Sequence, residues 1–146
     1  MRVPYNDLLE IIRLHGSFLS GDPNGKKADL ENADLYGAGL PNVNLAGANL
    51  KATNLKRAML MGANLEGANL DSASFKHAIL QEANLQNASL NGASLKGVNL
   101  ERADLRGAIL ENSDLENSII SGAIFNQKTI WPVGFDPRAG GAIEME

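Results

Sequence analysis

From residue 28 to residue 127 the chain repeats itself every five residues, a period that neither a helix nor a simple strand can hold. Leucine occupies every fifth position from Leu30 to Leu115, replaced once by Phe75, and Ile120 and Phe125 close the series. Two residues before each stands a small or β-branched residue. It is alanine in most pentads, with Val43, Val98, Thr53, Ser113 and Ser118 as the exceptions. The series makes twenty pentads with no insertion. On an α-helix, five residues advance about 140° beyond one turn, so the leucines would spray over every face. On a straight strand five is odd, and each successive leucine would change sides. A repeat architecture is what remains.

Within one pentad the alanine and the leucine are two apart, so an extended segment points both the same way. The residue between them, often Asn or Asp, points outward. If the chain then turns a corner, the next pair can face the same interior. Gly37, Gly62 and Gly97, or Asn32, Asn87 and Asn117, end their pentads with residues that tolerate unusual φ.

The phrase A-[ND]-L-x-x, as in AlaAsnLeu at 48–50, 63–65 and 68–70, resembles the pentapeptide repeat family. The resemblance covers 28–127. It implies an all-β solenoid, a right-handed quadrilateral β-helix with four pentads per coil, and hence about five coils. At about 4.8 Å per coil the rod would be roughly 24 Å tall. Its core would be four columns of leucine-type side chains beside a layer of small ones. Because each coil covers its neighbours, both ends need lids.

The expected organisation is an N-terminal cap and loop over 1–27, the repeat over 28–127, and a tail over 128–146 packed on the last coil. Residues 6–15 read as a short amphipathic helix, with Tyr5, Leu8, Ile11 and Ile12 on one face. Asp7 and Glu10 fit a capping box, and Gly16 fits a stop. GlyAspProAsnGly at 21–25 lacks the acidic ladder of a calcium loop and reads as a turn. The tail holds the only Trp, and it resembles the tails of cyanobacterial members of that family. Ile109, Ile119 and Ile124 should point outward and need a cover. Trp131 and Phe135 are expected to fold back over that coil.

The inventory for chemistry is thin. With no Cys, thiolate metal sites, disulfides and Cys nucleophiles are excluded. Asp71, Ser74 and His77 contain the letters of a triad, but at outward positions with no pocket. No phosphate-cradling loop and no metal spacing stand out. The expectation is a protein that is not an enzyme, with no cofactor and no metal. A net charge of -4 argues against a general nucleic-acid binder. The N-terminus lacks the apolar core and cleavage site of a signal peptide, and no run approaches the ~20 apolar residues of a membrane span. A cytoplasmic location is expected, unless a leader has been removed.

Function then falls to the outer faces, where residues twenty apart share a column. Lys56, Lys76 and Lys96 form one such column, with Arg57 and His77 beside it. This is the first candidate interaction surface, suited to an acidic protein partner. Met59, Met61 and Ile79 around Pro41 form a second, suited to an apolar protein contact or a weak dimer; otherwise the chain is expected to be monomeric. The leading expectation is a non-catalytic interaction scaffold. The alternative is a DNA-mimicking modulator of a type II topoisomerase, an activity the resemblance brings with it. Duplex DNA carries one charge per ~1.7 Å. Residues 28–127 hold 11 acidic and 7 basic residues, and the lysine column breaks the negative field.

Overall fold

The computed structural model describes residues 2–146. Helix α1 (Tyr5–Leu19) precedes a long stretch built from isolated parallel bridges, and among the described residues only β1 (Ile124–Phe125) and β2 (Ile143–Glu144) extend to paired strands. The bridges join positions twenty apart, from Asp29↔Asn49 through to Asp104↔Ile124. Four pentads therefore make one circuit, and four columns of bridges run along the rod. The first face passes through Asp29 and Asn49, the second through Asp34 and Asn54, the third through Gly39 and Met59, and the fourth through Asn44 and Asn64.

Each pentad is a short straight segment ended by a turn. The N–H of residue 33 donates to the carbonyl of Leu30, and that bond recurs pentad after pentad, closing a four-residue turn. The third residue of each turn has φ near +60°, as at Asn32 and Asn87, which is the conformation a type II turn demands. The outward Asn or Asp has a further job. Its Oδ1 accepts the N–H two residues on: Asn49 from Lys51 at 3.1 Å, Asn69 from Asp71 at 3.0 Å, Asp114 from Glu116 at 3.0 Å. The side chain thus holds the corner that its own backbone is entering.

Circuits are stitched by three bond sets, one of them from the corner N–H to the carbonyl nineteen residues on, as Gly47 donates to Glu66 at 2.8 Å. The interior leucine N–H donates to the carbonyl nineteen residues on, as Leu65 does to Asn84 at 2.8 Å. The outward residue N–H donates back twenty-one, as Asn84 does to Ala63 at 2.8 Å. Inside, Leu65, Leu85, Ala83 and Phe75 are 0–1% exposed. Thr53 is buried too, and its hydroxyl donates to the Leu30 carbonyl at 2.8 Å.

The N-terminal end differs from the sequence expectation in its details. Helix α1 runs to Leu19, through Gly16, and the left-handed stop comes at Gly21, whose N–H reaches the Phe18 carbonyl. The capping box does not form. Pro4 is the N-cap and offers no side-chain bond, and Glu10 turns instead to Arg13 at 2.6 Å. Leu8 is buried with Ile11 and Ile12 beside it, whereas Tyr5 is 62% exposed. His15 is fully buried. Its Nδ1 accepts the Ala28 N–H at 2.9 Å, so Nε2 carries the proton and donates to the Ala46 carbonyl at 2.8 Å. One imidazole thereby ties the helix to the first buried alanine of the repeat and to a corner beyond it.

At the other end the offset slips. Ile109 pairs with Ile130, twenty-one positions on, and the chain leaves the circuit there. Trp131 and Phe135 cross the end, Trp131 edge-on to Phe125 at 5.6 Å and stacked on Phe135 at 5.2 Å. The Arg138 guanidinium lies 5.7 Å from the Phe125 ring centre. The aromatic lid therefore closes the bore and does not cover the outward isoleucines. Ile109 and Ile124 are flanked by Ile130 and Ile143, and Ile119 stays 51% exposed.

This packing sets the expected effect of core substitutions. Ala83→Leu should overfill the bore and cost about 1–3 kcal/mol, while Leu85→Ala should cost about 2–5 kcal/mol, both read by denaturant unfolding. His15→Ala orphans the Ala28 N–H and the Ala46 carbonyl. It should cost about 1–3 kcal/mol and speed hydrogen exchange in α1 before the repeat; exchange that rises evenly along the chain would contradict this.

Candidate protein-interaction surface

The ladder sets the spacing of the basic corner. The N–H of Gly37 donates to the Lys56 carbonyl, Arg57 to Lys76, His77 to Lys96 and Gly97 to Glu116, all at 2.8–3.0 Å. Lys56, Lys76, Lys96 and Glu116 thus lie one above another, after the second face. The five candidate residues are brought together, but they are not equivalent. Lys96 Nζ stands 3.7 Å from the Glu116 carboxylate. Among the described residues, no carboxylate lies within 4.0 Å of the cationic groups of Lys56, Arg57 or Lys76. Those three, with His77 and Tyr36, line a shallow depression of about 200 Å³.

Arg57 and His77 hold φ of 58° and 59°, where a side chain costs about 1–2 kcal/mol that glycine avoids. His77 leans onto the next circuit, as Asn42 and Asn87 do at their corners. Its ring lies across the next circuit at Gly97, where a Cβ would collide with it. Glu82 and Arg102 show the structural use of such positions, for they also have positive φ but bond each other at 2.8 Å. That bond raises the Arg102 guanidinium above its already high ordinary value, with lesser help from the charges of Glu82 and Glu101.

The second candidate surface divides. Met59 and Ile79 share the third face with Gly39, Asn99 and Ile119, and Met59 is 43% exposed. Met61 lies on the corner after that face. With Pro41, Gln81, Glu82 and Arg102 it borders a depression of about 390 Å³. The triad letters are not assembled. The Asp71 carboxylate sits on the corner after the first face and accepts from Ser89 Oγ and from the Asn91 N–H, while His77 lies on another corner. Sequence reading missed the Lys96–Glu116 and Glu82–Arg102 pairs, although opposite charges twenty apart are visible in the chain. It also missed the burial of His15. That position is seven after Leu8 and four after Ile11, on the apolar side of α1.

Comparison with known proteins supplies the lineage. The model of pentapeptide repeats matches in eight copies over 28–67, 59–97, 68–107 and 99–127. The chain is similar to the crystal structure of Rfr23, a pentapeptide repeat protein from the cyanobacterium Cyanothece 51142. They share 37% identity over 76% of this chain and 69% of that one, with a TM-score of 0.58. It is also similar to alr5209, a pentapeptide repeat protein from Nostoc Pcc 7120, at 29% identity over 91% and 93% of the two chains, TM-score 0.35. HetL from the same strain is 30% identical over 75% of this chain and 70% of its own, TM-score 0.32. Among curated proteins no relative matches. No helix is long and apolar enough to cross a membrane among the described residues. Twenty unbroken pentads, a twenty-residue bridge offset and the matched model agree: the chain belongs to the pentapeptide repeat family, whose solved members are right-handed β-helices.

Proposed function

We propose that this chain is a non-catalytic scaffold, a five-coil quadrilateral β-helix that docks an acidic segment of a protein partner on the corner formed by Lys56, Arg57, Lys76 and His77. The observation that carries the reading is the pairing state of that corner. Among the described residues, three cationic side chains stand together with no carboxylate within 4.0 Å, although the chain is acidic overall. Stacked like charges repel weakly in water, by under ~1 kcal/mol per pair, so the fold tolerates them. An incoming carboxylate would relieve that repulsion. Lys96, already facing Glu116, is the edge of the surface and not its centre.

The same corner counts against the runner-up, a DNA-mimicking modulator of a type II topoisomerase. A mimic needs a continuous negative field along the rod, and here a positive corner lies midway along it.

The test is capture from native lysate with wild type, Lys56→Glu/Lys76→Glu, and Lys96→Ala, each checked for folding by circular dichroism. The expected result is a partner held by wild type and by Lys96→Ala. The double reversal should weaken it about tenfold or more, and the complex should be sensitive to salt. A partner held equally by all three would shift the site to Met59, Met61 and Ile79. Inhibition of gyrase supercoiling by the purified protein would support the DNA-mimic reading instead.

A further inference from the structure

Below the last full circuit the rod is half continued. Ile130 extends the first face and Ile143–Glu144 extends the fourth. The chain between them cuts across the bore as the aromatic lid, passing close to Ile120 at Gly140, but nothing of it continues the ladder on the second and third faces. The backbone there is left unpaired. Elsewhere in the ladder the interior leucine N–H finds a carbonyl nineteen residues on, but the N–H groups of Leu115, Asn117 and Ile120 have no such bond. Nor do the carbonyls of Ser113 and Ser118 accept the N–H groups that their counterparts Ala93 and Val98 accept one circuit earlier. The result is an open parallel edge, bounded by two strand stubs, with three donors and two acceptors at ladder spacing. Such an edge is a template for strand addition.

The rim of the edge says what would add. Glu111, Asp114 and Glu116 are exposed along it, and Ile119 is 51% exposed. A second copy would bring the same three carboxylates and be repelled. The chain's own stacking rules define a better occupant. An Asn above or below an Asp bonds it, as Asn54 does Asp34 at 3.0 Å. A Lys stacks on the corner glutamate, as Lys96 does on Glu116 at 3.7 Å. On the third face, apolar stacks on apolar, as Met59 does on Ile79. Inward positions must be small, because a Cβ at Gly140 in the lid would already press on Ile120.

We propose that the edge from Ser113 to Ile120 binds an extended basic segment of a partner protein as an added strand. The segment carries an amide or base over Asp114, a lysine or arginine over Glu116, and an apolar side chain over Ile119. The three positions are spaced first, third and sixth. This surface meets the foot of the basic column at Glu116 but uses none of Lys56, Arg57, Lys76 or His77, and either can fail alone.

The probe is an acetylated, amidated peptide with asparagine, lysine and isoleucine at its first, third and sixth positions and alanine between. It would be titrated into the full, ¹⁵N-labelled chain. Amide shifts should concentrate at Leu115, Asn117 and Ile120, with slowed hydrogen exchange there. N-methylation of the first and sixth peptide nitrogens should abolish them by removing the donors to Ser113 and Ser118. Asp114→Asn/Glu116→Lys should weaken binding about tenfold or more, and Lys56→Glu/Lys76→Glu should leave it unchanged. Three results would overturn the proposal: no shifts at about 1 mM peptide, equal shifts with the N-methylated peptide, or the same shifts on raising protein concentration alone. The second would mean a contact of charges only, and the third a second copy on the edge.

Discussion

Every feature of this molecule hangs on a backbone ladder that closes on itself once in twenty residues. Leu65 donating to Asn84, and Asn84 donating back to Ala63, state the rule in two bonds. The rule admits no slack, because side chains alternate inward and outward with a period of two. One extra residue in a circuit would turn the leucines of the next circuit toward water. The C-terminal end carries one such slip. At Ile109↔Ile130 the offset becomes twenty-one, and the regular path ends within a few residues.

That rigidity separates the two sides of the wall. Inward positions are nearly uniform because the bore has one cross-section, filled mostly by alanine and leucine. Outward positions are free to vary, and the ladder places them in columns. A corner residue meets whatever stands one circuit away, whether it neutralises (Lys96 above Glu116), yields (His77 across Gly97) or repels (Lys56 above Lys76). The unneutralised corner and the half-continued edge are two places where this rule leaves something unsatisfied. They differ in kind. One lacks countercharge, and the other lacks hydrogen-bond partners.

The repeat was legible because its signal is redundant: the alanine, the leucine and the corner residue each carry the same period. The columns were legible too, once four pentads per circuit was accepted, which is how Lys56, Lys76 and Lys96 came together. What the sequence hid was set by single contacts. Gly16 resembles a helix stop, but it adopts no left-handed φ, and Gly21 does. His15 stands near the end of a short helix with nothing local to mark its burial; Ala28 and Ala46, distant in sequence, supply both of its partners. The isoleucines near the C-terminal end invited a cover, and the aromatic side chains went instead to Phe125 at the mouth of the bore. The pairing of Lys96 with Glu116 required knowing side-chain reach and not register alone.

The twenty-residue ladder also bears on how such a chain can change its size. Apart from the ends, each circuit touches only the one above and the one below. Copying any twenty-residue window in place would insert one more storey, about 4.8 Å tall, and each existing corner would keep its kind of neighbour. Copying fifteen or twenty-five would instead rotate everything beyond the join by one face and reassign every column. The molecule can therefore keep its columns through duplication only when it grows in whole storeys.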